Sequence, residues 1–311
     1  MRQGVRLCAH NAREGETRAI ETQKEGFVAV PGGNVWYRIA GGGPGVPLLI
    51  LHGGPGAGHD YLEPLEALGD ERPVVFYDQL GCGRSDIPDD TSLWTVEHFA
   101  KEVQAVREGL GLERVHLLGQ SWGGWLAIEY MLGKPDGVVG LVLANTSASA
   151  AGFEREARGL IAGLPNDIRE TIERCETSGE VEDPAYQAAT MAFYQKHVCR
   201  LPEWPEAIMR TVANIAATPV YAHMWGPSEF TMSGTLANWD RSGRLGEIDA
   251  PTLVLAGRYD EAQPPLAEEL RDGIPGADLV IFENSSHMPH WEEAERYQQV
   301  VRDFLRRTEA A

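Results

Sequence analysis

No stretch of this sequence approaches the ~18 consecutive apolar residues that a membrane-spanning helix needs, so no transmembrane segment and no membrane partner is expected. The opening residues, MRQGVRLCAHNAREGETRAIETQ, lack the apolar core of a secretory signal peptide and read as a polar leader before the first strand. Cysteine is scarce. Cys8, Cys82, Cys175 and Cys199 stand far apart, with neither the paired spacing of a metal knuckle nor the pattern of a disulfide framework. A cytoplasmic protein without metal or cofactor is the resulting expectation. Basic residues are also in short supply: 27 Lys and Arg against 46 Asp and Glu leave a net charge of −19. Such a surface repels phosphate backbones, which argues against nucleic acid as a partner, and it tolerates cationic ligands. Most of the acids need no explanation beyond solvation.

What the chain does contain, in 311 residues, is enough apolar sequence for a full core. Short strand-like runs are expected at about 27–30, 34–40, 47–52, 74–78, 114–118 and 138–144, with helical periodicity at about 95–110 and 122–133. PLLILH, PVVFYD and GLVLAN are continuously apolar rather than alternating, which suits a mostly parallel sheet covered on both faces. The strand signal then stops from about 148 to 245, where a helical, Trp- and Pro-punctuated region intervenes. It resumes in PTLVLAG and ADLVIFEN, and AERYQQVVRDFLRR closes the chain as an amphipathic helix. These shifts divide the chain into a leader of no assigned role (1–26), the first part of an α/β core (27–147), an inserted helical cap (148–245) and the rest of the core (246–311), with no internal repeat.

In GQSWGGWLAIEYMLG, Gly119, Ser121 and Gly123 match G-x-S-x-G at the point where strand character gives way to helical spacing. Glycines there permit a tight turn that holds a nucleophilic hydroxyl out above a sheet. The competing reading is a serine that merely caps a helix. A serine nucleophile needs a base, and the base needs an acid to orient it. In α/β-hydrolases these follow in the order Ser, Asp or Glu, His, each after a strand. PTLVLAGRYDE supplies Asp260 and ADLVIFENSSHMPHW supplies His287, with His290 as the competing base. Backbone N–H donors for the oxyanion are expected from Trp122, which follows the serine, and from the HGGPG loop at 52–56, where Gly53 and Gly54 let the backbone approach a ligand. Taken alone, that Gly-Pro cluster also fits an ordinary turn.

Six stretches together carry a more specific likeness: HGGPG, YDQLGCGRSD at 77–86, GQSWGG at 119–124, GPSEFTMSGTLANWD at 226–240, GRYDE at 257–261 and SSHMPHWEE at 285–293. With them the sequence, from about residue 27 to its last helix, resembles the proline iminopeptidase group of α/β-hydrolases, which includes the tricorn-interacting aminopeptidase. The resemblance implies an α/β-hydrolase fold and a serine hydrolase that releases an N-terminal residue, proline or another apolar one, from peptides with a free amine. It also implies that Glu229 and Glu261 bind the substrate ammonium and that Tyr221 belongs to the same pocket. Without it, both glutamates read as surface acids. Trp204, Trp225 and Trp239 suit an apolar first side chain, although aromatics in helices more often belong to a core than to a ligand wall. Amino-acid amide hydrolases share the triad and the amine clamp, so the motifs leave peptide and simple amide both open. An esterase or lactonase needs no such glutamates. Epoxide and haloalkane hydrolases carry aspartate at the elbow, and a non-catalytic scaffold has no need of an intact triad.

Overall fold

The computed structural model describes residues 22–310. Eight strands form one sheet: β1 (Thr22–Val30), β2 (Gly33–Ala40), β3 (Leu48–Leu51), β4 (Val74–Tyr77), β5 (Val115–Gln120), β6 (Val138–Ala144), β7 (Thr252–Gly257) and β8 (Asp278–Phe282). Their spatial order is β1-β2-β4-β3-β5-β6-β7-β8. From β4 to β8 every neighbouring pair is parallel, and β1 and β2 join antiparallel at one edge. β3, β4, β5 and β7 are buried at every position, as their unbroken apolar runs require when helices cover both faces.

β1 begins at Thr22, inside the segment that the sequence reading treats as leader; residues 1–21 and Cys8 lie outside the described residues. Its first part, TQKEG, has no apolar signal because it pairs on one side only, at the sheet edge, with Lys24 and Glu25 exposed.

Helices α1 (Val96–Leu110) and α2 (Trp122–Leu132) follow β4 and β5. α1 starts on a Thr95 side-chain cap and stops at Gly111 in the left-handed conformation. Between β6 and β7 lie five helices: α3 (Ala150–Ala162), α4 (Asn166–Ser178), α5 (Pro184–His197), α6 (Glu206–Ala217) and α7 (Val220–Met224). They share a small core of their own around Ile172, Cys175, Phe193 and Phe230. α8 (Pro264–Gly273), the short α9 (Pro289–Glu292) and α10 (Ala294–Glu309) complete the chain. α10 buries Tyr297, Val301, Phe304, Leu305 and Thr308, a stripe at helical spacing, against one face of the sheet. Burial of each large apolar side chain in that stripe contributes roughly 1.5–3 kcal/mol.

Parallel strands all end at the same rim. The loops after β3, β4, β5, β6, β7 and β8 therefore bring His52–Gly54, Gln79, Ser121, Asn145, Asp260 and His287 to one edge of the sheet. α6 lies over that rim, tied to the segment after β3: Thr211 Oγ1 accepts from the Tyr61 N–H (3.1 Å), and Asn214 Nδ2 donates to Asp60 Oδ2 (2.9 Å).

Candidate active site

β5 ends at Gln120 and α2 begins at Trp122, so Ser121 alone makes the corner, at φ 57° and ψ −124°. A non-glycine residue at such a φ is strained and must be held by its surroundings. Its N–H donates to the Ala144 carbonyl (2.9 Å), and its own carbonyl accepts from Gly124 N–H and Thr146 Oγ1 (both 2.8 Å). The turn closes this tightly only because Gly119 and Gly123 flank it. A Cβ on Gly119 would lie 2.2 Å from the Gly123 carbonyl oxygen, and one on Gly123 would lie 2.0 Å from that of Leu51. The serine hydroxyl makes no capping hydrogen bond to α2, so the helix-cap reading has no support.

Asp260 is fully buried, and burial of a carboxylate demands partners. It has three: His287 Nδ1 and the Ala262 N–H on Oδ1 (2.7 and 2.9 Å), and Asn145 Nδ2 on Oδ2 (2.6 Å). The Asp260 contact fixes the proton of neutral His287 on Nδ1, which leaves Nε2 as the basic nitrogen. Nε2 lies 3.7 Å from Glu261 Oε1, and the His287 carbonyl accepts from Gln120 Nε2 (3.1 Å). Asn145 went unforeseen. Its signal was available, because an asparagine directly after the buried strand GLVLA sits at the same rim as the other site residues. His290, the competing base, is buried with Nε2 on the Tyr61 carbonyl (3.1 Å), and burial pushes its pKa down to about 3. Its Nε2 therefore carries a proton and donates it to a carbonyl.

Ser121 and His287 line a cavity of about 320 Å³ together with Gly54, Tyr194, Tyr221, Glu229 and Glu261. Glu229 Oε2 accepts from Tyr221 Oη (2.9 Å) and Tyr194 Oη (3.5 Å). Glu261 is buried, and its Oε2 has no hydrogen-bond partner among the described residues. Burial, then the charges of Glu229 and Asp260, push the Glu261 carboxyl well above the usual carboxylate range; burial raises Glu229 too, against the lowering effect of the Tyr221 hydroxyl and His287. Two carboxyls so placed are short of a cation. Tyr194, from α5, escaped the sequence reading because a tyrosine on a helix carries no mark of which cavity it faces.

Gly54, at φ 109°, has no room for a side chain: a Cβ would meet the Gly56 and Ala57 nitrogens at 2.6 and 2.7 Å. Trp122 is the first residue of α2, so its N–H belongs to the helix's unpaired donors. Of the three tryptophans, Trp204 and Trp225 line the cavity. Trp239 does not; it stacks on Trp125, with ring centroids 4.6 Å apart, and donates to Glu129. Elsewhere, Cys175, Glu180 and Asp183 come close enough to share an ion, but Asp183 caps α5 and Glu180 faces Arg174 and Ser178.

Residues 46–294 match the family model described as the alpha/beta hydrolase fold. A proline iminopeptidase of Heyndrickxia coagulans is 42% identical over 282 residues, covering 90% of this chain and 98% of that protein. The chain belongs to the proline iminopeptidase family of α/β-hydrolases. A second proline iminopeptidase, from Saccharolobus solfataricus, is 41% identical over 285 residues, covering 91% of this chain and 92% of that protein. The crystal structure of the Mycobacterium smegmatis proline iminopeptidase superposes with a TM-score of 0.87 at 38% identity, covering 92% of this chain and 99% of that one. The α/β-hydrolase fold and the family expected from the sequence are both borne out by these matches.

Proposed function

We propose that this hydrolase releases N-terminal proline from peptides with a free amine, through an acyl-enzyme on Ser121. The observation that carries the reading is the pair of buried carboxyls, Glu229 and Glu261, in the same cavity as Ser121 and His287. The family match supports the same reading.

His287 Nε2 takes the proton of Ser121 Oγ as that oxygen bonds to the scissile carbonyl carbon. The carbonyl oxygen becomes an oxyanion facing the N–H groups of Gly54 and Trp122. The C–N bond then breaks, and the proton on His287 passes to the leaving amine. Water, deprotonated by the same nitrogen, attacks the ester and frees proline, and the proton returns to Ser121 Oγ. Asp260 keeps the ring oriented throughout and stabilises its charged form, while Asn145 and the Ala262 N–H hold Asp260. Glu229 and Glu261 take the substrate's ammonium, with Tyr194 and Tyr221 fixing Glu229, and the helical segment 148–245 serves as the cap that closes the pocket. We place the enzyme in the cytoplasm; the free cysteines Cys82, Cys175 and Cys199 suit a reducing compartment.

The apolar side chains of Trp204, Ile208 and Ile215 also line the cavity, giving a leaving peptide something to bind and favouring peptides over simple amides. A panel of prolyl dipeptides, prolinamide and the corresponding leucyl compounds tests this. Prolyl dipeptides are expected to exceed prolinamide in kcat/KM by about tenfold or more, since remote contacts lower the barrier at the reacting carbon. Faster turnover of prolinamide would make the enzyme an amino-acid amidase, and faster turnover of the leucyl compounds would overturn the proline preference.

A further inference from the structure

Beside β3 in the sheet, β4 ends at Tyr77, and the chain turns through Asp78 and Gln79 at the rim that carries Ser121. Gln79 is fully buried. A buried amide must find partners for its polar atoms, and Gln79 finds them on two separate loops. Its backbone N–H donates to His52 Nε2 (2.9 Å) and its side-chain Nε2 donates to the His52 carbonyl (2.8 Å). Its Oε1 accepts from the indole N–H of Trp122 (2.8 Å). His52 leads directly into Gly53 and Gly54, and Trp122 follows Ser121. One side-chain amide thus spans the two loops whose N–H groups face the oxyanion.

The arrangement also fixes a tautomer. Because His52 Nε2 accepts from Gln79, the ring proton sits on Nδ1 and is donated to the Gly53 carbonyl (2.9 Å). Burial pushes the His52 pKa down to about 4, so the ring keeps this pattern at neutral pH.

We propose that Gln79 is a positioning residue for catalysis: it sets the distance between the Gly54 and Trp122 N–H donors, so that both reach the oxyanion at once. The proposal rests on the assignment of Ser121 and those donors given above. Donors of this kind act on the position the oxygen takes in the transition state, and a misplacement of ~1 Å costs about 10²-fold in rate. Binding of the ground state depends on the amine clamp and the apolar walls, which Gln79 does not touch. Its loss should therefore appear in kcat rather than in KM.

A purely structural role, satisfying polar atoms in the core, gives a different pattern. Gln79→Met keeps the length of the side chain but strands the indole N–H of Trp122 and leaves the His52 carbonyl without its side-chain donor; adding Trp122→Phe removes the stranded indole donor. Each variant is assayed for thermal stability, for steady-state kinetics, and for inhibition by free proline and by the boronic acid analogue of proline, which forms a reversible tetrahedral adduct on a serine hydroxyl. For Gln79→Met the expected results are kcat lower by about 100-fold, KM and proline inhibition within about twofold, and boronate affinity reduced in step with kcat. The double variant should regain part of the lost stability and remain slow. Equal weakening of boronate and proline, kcat recovering with stability in the double variant, or a Gln79→Met rate within about threefold of wild type would overturn the proposal. Ser121→Ala separates the underlying assignment: it should lose boronate affinity, and boronate binding as tight as in wild type would overturn the site assignment and the proposal together.

Discussion

Replacing Ser121 by alanine is expected to lower kcat by about 10⁴- to 10⁶-fold, His287→Ala to do the same, and the double variant to be no slower than either alone. In the proposed mechanism nucleophile and base perform one proton transfer, so losing either loses the whole step. Residual turnover would come from the oxyanion donors and substrate binding. His290→Ala is the contrasting change. That ring sits buried between Tyr61 and Tyr297 with its Nε2 on a backbone carbonyl, so its removal should cost stability and leave kcat of the folded fraction near wild type. Steady-state kinetics on purified protein, with the folded fraction measured by circular dichroism, checks both halves. A double variant far slower than the singles, or His290→Ala more damaging to kcat than His287→Ala, would require a different base.

Acetylation of the substrate amine is the second large effect expected. Among the described residues Glu261 Oε2 has no partner and lies buried beside Glu229, and on the proposed reading a protonated amine supplies the missing cation. Losing a desolvated charge pair costs ~2–5 kcal/mol, or about 30- to 5,000-fold in kcat/KM. Because bulk alone can also exclude an acetyl group, Glu229→Gln provides the control. It should slow free-amine amides strongly and leave a small neutral ester almost unaffected. The pH dependence has a definite sign. A carboxyl raised above its ordinary pKa is neutral at low pH and must ionise to pair with ammonium, so 1/KM should rise with pH through the Glu261 titration until the substrate amine loses its own proton. Glu261→Gln should flatten that rise. Equal loss on amide and ester in Glu229→Gln would refute the clamp.

The core of this site was legible because strand ends announce themselves. Apolar runs mark β5, β7 and β8, and the loop that follows each one lies at the common rim, with Ser121 directly after Gln120, Asp260 three residues past Gly257 and His287 five residues past Phe282. Ser121, Asp260 and His287 were readable for that reason, and Asn145 could have been. Side chains on helices gave no such signal. Tyr194 on α5 faces the cavity, whereas Trp239, in the non-helical stretch after α7, packs on Trp125, a difference decided by tertiary packing that neither residue's neighbours in the chain reveal. Glu229 and Glu261 carried no physical mark either, since a carboxylate becomes unusual only when its surroundings remove water, and family resemblance alone pointed to them. Gln79 lay inside a recognised stretch, but its contacts join segments from three parts of the chain.

The most direct measurement is to trap the acyl-enzyme. Wild-type protein mixed with a prolyl ester, quenched in acid during turnover and digested, should yield a peptide carrying prolyl in ester linkage on Ser121, and the same treatment of N-acetylprolyl ester should yield much less. A prolyl adduct on any other residue, or turnover with no covalent adduct at all, would contradict catalysis through Ser121.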